Sequence, residues 1–122
     1  MLSETMVAGT VILNKQNGDK EFLVKEDHGK FNFLTVTIDS EFTSLACILK
    51  ELKTFVQLNT REMELEELTN LTIGTDSMPL FVFSLDEEES NALPDSFYWK
   101  KPSTIRDEVL EKITVSGVPF FS

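Results

Sequence analysis

The first third of the chain alternates short β-rich runs with turn residues. The runs "MVAGTVILNK" and "KEFLVKE" flank "QNGD", and the dipeptide Asn17-Gly18 suits the positive φ angles of a tight hairpin turn. The pattern predicts an antiparallel hairpin. After "DHGK", which is punctuated by Gly29, a strand-like run from Phe31 to Ile38 predicts a third strand before any helix.

The stretch "SLACILKELKTFVQL" has the periodicity of an amphipathic helix. At about 100° per residue its apolar residues fall on one stripe, while Lys50, Lys53 and Thr54 point elsewhere. The stripe comprises Leu45, Ile48, Leu49, Leu52, Phe55 and Val56. We predict a helix over Glu41–Val56, with Ser40 or Thr43 as its N-cap and Phe55 in the core.

The second half contains several further strands and one helix. The run "EMELEEL" alternates acidic and apolar residues as a half-exposed strand does, although its residues also favour helices, so both types stay open. The runs "LTNLTI", "PLFVFSL" and "FYWKK" read as strands. Thr104 and Asp107 form a candidate capping box for a C-terminal helix that continues through Ile113.

The order of these elements is hairpin, strand, helix, several strands, helix. Because strands and helices do not alternate regularly, a doubly wound parallel sheet is disfavoured. We predict an α/β fold of the α+β kind, a mixed, partly antiparallel sheet sandwiched between helices. With 122 residues, one domain spanning 1–122 is expected.

Composition and charge exclude some classes of function. The net charge of −10 is concentrated in residues 62–122, which hold 4 basic and 13 acidic residues. Such acidity argues against nucleic-acid binding, which depends on Lys and Arg neutralising phosphates. No apolar run approaches the roughly 20 residues of a membrane-spanning helix, and the single cysteine forms no internal disulfide, so we expect a cytoplasmic protein without a membrane partner.

The element order, together with "GTVILN", "KEFLVKE", "GKFNF" and a Lys-Glu-Leu helix, resembles the Nudix family of nucleoside diphosphate hydrolases. The resemblance runs from Val7 to about Ile113 and includes a late aromatic strand with Trp99 before the C-terminal helix. The family signature is Gly, five residues, Glu, seven residues, then R-E-U-x-E-E-x-G-U, where U is bulky and aliphatic. The resemblance therefore implies a Nudix-type sheet and a magnesium-binding helix.

Aligning Lys50-Glu51-Leu52 with R-E-U shows that most of the signature is replaced. The first Gly falls on Val36 and the first Glu on Phe42, with Glu41 one residue away. The remaining correspondences put the metal-binding glutamates at Thr54 and Phe55, the last Gly at Gln57 and its aliphatic neighbour at Leu58. The signature of this chain is strongly degenerate.

These replacements bear on the chemistry that the resemblance implies. Magnesium prefers hard oxygen ligands and is usually held by one or two carboxylates with waters and substrate phosphates. Glu51 is the one candidate that remains on the helix, as metal ligand or catalytic base, and Glu41 is a second candidate metal ligand. Magnesium or manganese is expected as a cofactor only if the chain is active.

Other candidate residues each have a structural alternative. The acidic run Asp86 to Glu89 could supply lost ligands, but a solvated loop is the simpler interpretation. His28 reads as a surface residue, and Cys47 as a structural thiol rather than a nucleophile. Phe97, Tyr98 and Trp99 could stack on a nucleobase, although strand packing explains them equally well.

Two functions from different classes follow. The first is a binding module that keeps the cleft without the metal chemistry and recognises a nucleotide-like small molecule or a protein partner. The second is an active hydrolase of nucleoside diphosphate derivatives that uses Glu51 with acids from another loop. A homodimer or scaffold role is a third alternative.

Overall fold

The computed structural model describes residues 6–38, 41–73, 75–90, 92–109 and 113–115. Strands β1 (Met6–Asn14) and β2 (Lys20–Asp27) form the antiparallel hairpin predicted from the sequence. Gly18 takes a φ of 92° in the turn, and the Asn17 side-chain oxygen accepts a hydrogen bond from the Asp19 N–H at 2.9 Å. The hairpin prediction is confirmed.

The predicted third strand is two strands that pair with different partners. Strand β3 (Lys30–Asn32) extends β2, whereas β4 (Leu34–Thr37) pairs with the first half of β1. Between them Phe33 is buried. The prediction of one continuous strand from Phe31 to Ile38 is therefore wrong, because the backbone exchanges partners at Phe33.

Helix α1 spans Ser44–Thr54, so the predicted Glu41–Val56 helix is shorter at both ends. It begins after Thr43, whose hydroxyl accepts from the Ala46 N–H at 3.1 Å, while Ser40 lies outside the described residues. The helix crosses β1 closely at Gly9, where an added Cβ would come within 2.5 Å of Ile48 Cγ1. The absence of a side chain at this position lets helix and sheet approach.

The middle of the chain forms two long antiparallel strands, which settles the ambiguous "EMELEEL" run. A 3-10 turn (Thr60–Glu62) leads into β5 (Glu64–Ile73), and β6 (Asp76–Asp86) pairs with it. A second 3-10 turn (Glu87–Glu89) ends this part. The strands predicted from "LTNLTI" and "PLFVFSL" are confirmed.

The C-terminal helix differs from the prediction. Strand β7 (Phe97–Lys100) is followed by a short helix α2 (Pro102–Thr104), which continues as a wider π-helical segment (Ile105–Val109). Pro102 occupies the first helical position, which suits its fixed φ, so Thr104 is not the cap. The predicted continuation through Ile113 is wrong, because strand β8 (Ile113–Val115) pairs with the edge of β5.

The eight strands in the described part of the chain form one mixed sheet with the order β3-β2-β1-β6-β5-β8, in which β4 also pairs with β1 and β7 with β2. The pair of β1 and β6 is parallel, and the other pairs are antiparallel. One face packs on Ile48 and Leu52 of α1, and the other on Ile105 and Val109. The predicted mixed sheet between helices is confirmed.

Candidate functional site

An open cavity of about 200 Å³ lies beside α1, at the position where the resemblance places the active site. It is lined by Val36, Thr37, Phe42, Cys47, Lys50, Glu51 and Phe55. Five of these residues, at positions 36, 42, 50, 51 and 55, align with specified positions of the signature. The fold therefore gathers the signature positions around one cavity although their residues have changed.

Two exposed phenylalanine rings line this cavity. Phe42 is 46% exposed and Phe55 is 57% exposed, at positions that the signature assigns to glutamates. The ammonium group of Lys50 lies 5.4 Å from the centroid of the Phe42 ring, within cation-π range. The prediction that Phe55 joins the core is wrong, because α1 ends at Thr54 and leaves this ring on the surface.

Glu51 is the one acidic residue among those that line the cavity. Partial burial raises the pKa of its carboxyl above the ordinary value of 4.5, and the positive charge of Lys25 on β2 opposes this rise. Lys25 follows Leu23 by two residues on the strand, so both side chains lie on the face that α1 covers. Burial therefore favours the neutral form of Glu51.

We expect the free energy of unfolding to depend on pH, because the pKa of Glu51 is raised in the folded chain. The folded chain binds the Glu51 proton more tightly than the unfolded chain, so this stabilisation is complete below pH 4.5 and is lost as the pH rises through the folded pKa. Urea unfolding between pH 4 and pH 8 should show the decline in the wild type and a smaller decline in Glu51→Gln.

A direct check is to follow the Glu51 side-chain carboxyl carbon by NMR during a pH titration. Lys25→Gln should raise the pKa of Glu51 further, since it removes the opposing charge. Lys50→Gln serves as the control, because this ammonium group faces the Phe42 ring. A larger effect of the Lys50 substitution would contradict the assignment of the charge partner.

The residues around the cavity do not fit a magnesium site. A magnesium ion needs a set of hard oxygen ligands, and here one carboxyl with a raised pKa lies among two phenylalanine rings and a lysine. Within the described residues no group of three or more His, Cys, Asp or Glu side chains is placed to hold a metal ion. The donor set of this cavity therefore does not match the ligands that magnesium prefers.

Gln57, which aligns with the last glycine of the signature, has a backbone conformation that glycine adopts readily. Its φ is 64°, in the left-handed region, and Leu58 next to it donates its N–H to the Leu52 carbonyl at 3.1 Å. Helices commonly end on a residue of this conformation, and glycine adopts it without a Cβ clash. The backbone at this position therefore favours glycine although the residue is glutamine.

We expect Gln57→Gly to stabilise the fold. A left-handed conformation costs a residue with a Cβ about 1–2 kcal/mol, while glycine loses more chain entropy on folding, so the net gain should be about 0.5–1 kcal/mol. Chemical denaturation measures the change. The control is Lys53→Gly inside α1, which should lose about 1 kcal/mol, and a loss at both positions would contradict the interpretation.

The other candidate acids lie in different surroundings. Glu41 is exposed in the turn before α1 and is not among the residues that line the cavity. Glu87, in the acidic run, accepts a hydrogen bond from the Gln16 N–H at 3.1 Å and lies 3.9 Å from the Lys15 ammonium group. The acidic run is therefore tied to the β1–β2 turn and contributes no residue to the cavity that holds Glu51.

His28 and Cys47 have the surroundings that the sequence predicts. The His28 side chain is 94% exposed and lies 3.4 Å from the Asp27 carboxylate. Cys47 is buried between α1 and the sheet, where it packs in the same cluster as Ile48. The surface location of His28 and the burial of the thiol are confirmed.

Tyr98 and Trp99 point to opposite faces of the sheet, as neighbours on a strand do. Trp99 packs against the cluster beneath α1, on the side of the cavity. Tyr98 is 40% exposed and meets Phe31 edge-to-face at 5.7 Å, with the Lys100 ammonium group 5.3 Å from its ring centroid. These two aromatic side chains therefore do not share one pocket.

No helix within the described residues is long and apolar enough to cross a membrane.

The sequence matches no protein-family model and no curated protein. Solved structures do resemble this fold. An Ap4A hydrolase from C. elegans superposes with a TM-score of 0.68 at 11% identity, over 91% of this chain and 86% of the hydrolase.

Two further similar structures are binding complexes. The Nudix domain of Shewanella oneidensis NrtR, solved with ADP ribose, gives a TM-score of 0.62 at 9% identity, over 92% of this chain and 83% of that domain. The C-terminal domain of mouse MUTYH, solved with human PCNA, gives a TM-score of 0.61 at 16% identity, over 88% of this chain and 79% of that domain. This chain therefore has the fold of the Nudix hydrolases.

Proposed function

We propose that this chain is a Nudix-fold binding module whose cavity beside α1 holds a nucleotide-like ligand without metal-dependent hydrolysis. The observation that carries the proposal is the pair of exposed rings, Phe42 and Phe55, at signature positions that the family fills with glutamates. Aromatic side chains bind nucleobases by stacking, which every base permits. The substitution that removes metal ligands thus supplies a surface for a flat ring.

The polar residues of the cavity complete the proposed site. Lys50, whose ammonium group lies over the Phe42 ring, provides a positive charge for a ligand phosphate. The Glu51 carboxyl, whose pKa is raised by burial, can donate a hydrogen bond to a ring nitrogen when it is protonated. Trp99 does not line the cavity, but it packs against the buried cluster on the same face of the sheet, so it stays our candidate for ligand contact ahead of Tyr98.

The similar structures support binding as a use of this fold. The NrtR domain was crystallised in complex with ADP ribose, and the MUTYH domain in complex with PCNA. The size of the cavity favours a protein partner as a second candidate, since about 200 Å³ is less than the roughly 300 Å³ or more of most small-molecule sites. A single apolar side chain of a partner would also pack against the two exposed rings.

Calorimetric titration with ADP-ribose and ADP, without added metal, tests the proposal. We expect saturable binding with one ligand per chain, and the same affinity when EDTA is present. In parallel, phosphate release from nucleotide sugars, ADP-ribose and nucleoside triphosphates should stay at background with magnesium or manganese.

Two outcomes separate this proposal from its rivals. Metal-dependent turnover that disappears in Glu51→Gln would establish the alternative, an active hydrolase with a non-standard metal site. Lack of binding to every nucleotide would overturn the nucleotide proposal in favour of the protein-partner candidate. A cytoplasmic location, a homodimer and a single domain over 1–122 stay predictions, and light scattering at several concentrations addresses the homodimer.

A further inference from the structure

A second, larger cavity lies at the turn of the first hairpin. Its volume is about 750 Å³, within the range of sites that take small molecules. It is lined by Lys15, Gly18, Asp19, Lys20, Glu21, Lys101, Pro102, Ser103 and Arg106. None of these residues lines the cavity beside α1.

The charge of this cavity is opposite to that of the whole chain. Four basic and two acidic residues line it, whereas the chain has 11 basic and 21 acidic residues and a net charge of −10. Basic side chains are thus concentrated at this cavity although the chain as a whole is acidic. Such a local positive field raises the concentration of anions at the cavity.

Strand pairing brings two distant segments together at this point. In the register of β2 with β7, Phe22 lies opposite Lys100, so the chain leaves β7 beside the start of β2. Lys101 then leads into α2, and Arg106 follows in the π-helical segment. The positive residues of the hairpin and of the C-terminal helix therefore face one space.

The basic groups are available to a ligand to different degrees. Lys101 and Arg106 are exposed, and neither has an ion pair within the described part of the chain. The Lys20 ammonium group donates to the Asn14 side-chain oxygen at 2.7 Å. The Lys15 ammonium group lies 3.8 Å from Glu21 and 3.9 Å from Glu87, distances at which an ion pair is weak.

We propose that this cavity binds a small molecule that carries phosphate groups. The planar guanidinium of Arg106 can hold two phosphate oxygens at once, and the ammonium groups of Lys20 and Lys101 add point charges. The Ser103 hydroxyl supplies a further donor at the wall. This site is separate from the ring-binding cavity, and the proposal goes beyond the function assigned to that cavity.

Inorganic tripolyphosphate is the probe, because it has charge and no ring. In amide NMR spectra of the full chain we expect saturable shifts at residues 101, 103 and 106, weaker at higher salt because these charges are screened. Lys101→Gln combined with Arg106→Gln should weaken binding about tenfold or more, since two charge-assisted contacts are lost. The shift map of the unsubstituted chain locates the ligand independently of how the variant folds.

The control Lys53→Gln combined with Arg61→Gln removes the same charge from exposed positions that line neither cavity, and it should leave binding unchanged. Phe42→Ala with Phe55→Ala should also leave it unchanged, which separates this site from the proposed function. The proposal is overturned by shifts that do not saturate at millimolar probe, by saturable shifts confined to other residues, or by an equal loss in the Lys53 and Arg61 control.

Discussion

Replacing Phe42 and Phe55 together by alanine is expected to weaken binding of ADP-ribose and ADP about thirtyfold. Both rings are exposed and line the cavity beside α1, so their removal leaves the core intact and takes away the stacking surface. Loss of base stacking costs about 1–3 kcal/mol per base on alanine substitution, and about 2 kcal/mol corresponds to the stated factor. Calorimetric titration of the wild type and the double variant measures the effect.

The matched control removes two other exposed apolar side chains. Leu65 and Leu68 on β5 are 49% and 55% exposed and do not line this cavity. Their replacement by alanine should leave nucleotide affinity unchanged and should change stability little. Equal affinities of the wild type and the phenylalanine double variant would show that the ligand ring lies elsewhere.

The second large effect is a gain of metal binding when two carboxylates are restored. In Thr54→Glu with Phe55→Glu, the new side chains lie three and four residues after Glu51, so all three carboxylates share one face near the end of α1. Both positions are exposed, so the helix should tolerate the change. We expect affinity for Mn²⁺, measured by electron paramagnetic resonance, to rise at least about tenfold, because a metal site requires convergent oxygen ligands.

A variant of equal charge isolates the role of geometry. Gln57→Glu with Asn59→Glu adds two carboxylates at exposed positions beyond the helix and should gain much less affinity. If both variants gain equally, added negative charge explains the effect rather than a restored site. Addition of Glu51→Gln to the restored variant should remove most of the gain, since the three carboxylates act together.

Local patterns predicted much of this fold because their causes are local. The positive φ of Gly18 in the first turn follows from the Asn17-Gly18 dipeptide, and α1 follows from a 3.6-residue period with a hydroxyl cap at Thr43. The alignment to the family signature put Val36, Phe42, Glu51 and Phe55 at signature positions, and the structure shows that these residues line one cavity.

Long-range pairing explains the points where the sequence misled. The break at Phe33 arises because β3 and β4 pair with different strands, and Ile113 leaves the helical pattern because β5 offers an edge with unpaired backbone groups. Periodicity places Phe55 on the apolar stripe, but it does not predict that the helix ends one residue earlier. Among the described residues no element covers this ring, so it is exposed.

The order of residues along the chain is enough to establish a hairpin, a capped amphipathic helix and a strand-rich second half, and to show that the signature carboxylates are replaced. Only the tertiary structure shows that the rings of Phe42 and Phe55 are exposed beside Glu51, that Gln57 has a left-handed conformation, and that residues of the first hairpin turn and of 101–106 form a basic cavity. Turns and helix periodicity depend on neighbours in the chain, so they can be predicted locally. Cavities and local charge depend on strand register, which joins segments about 80 residues apart.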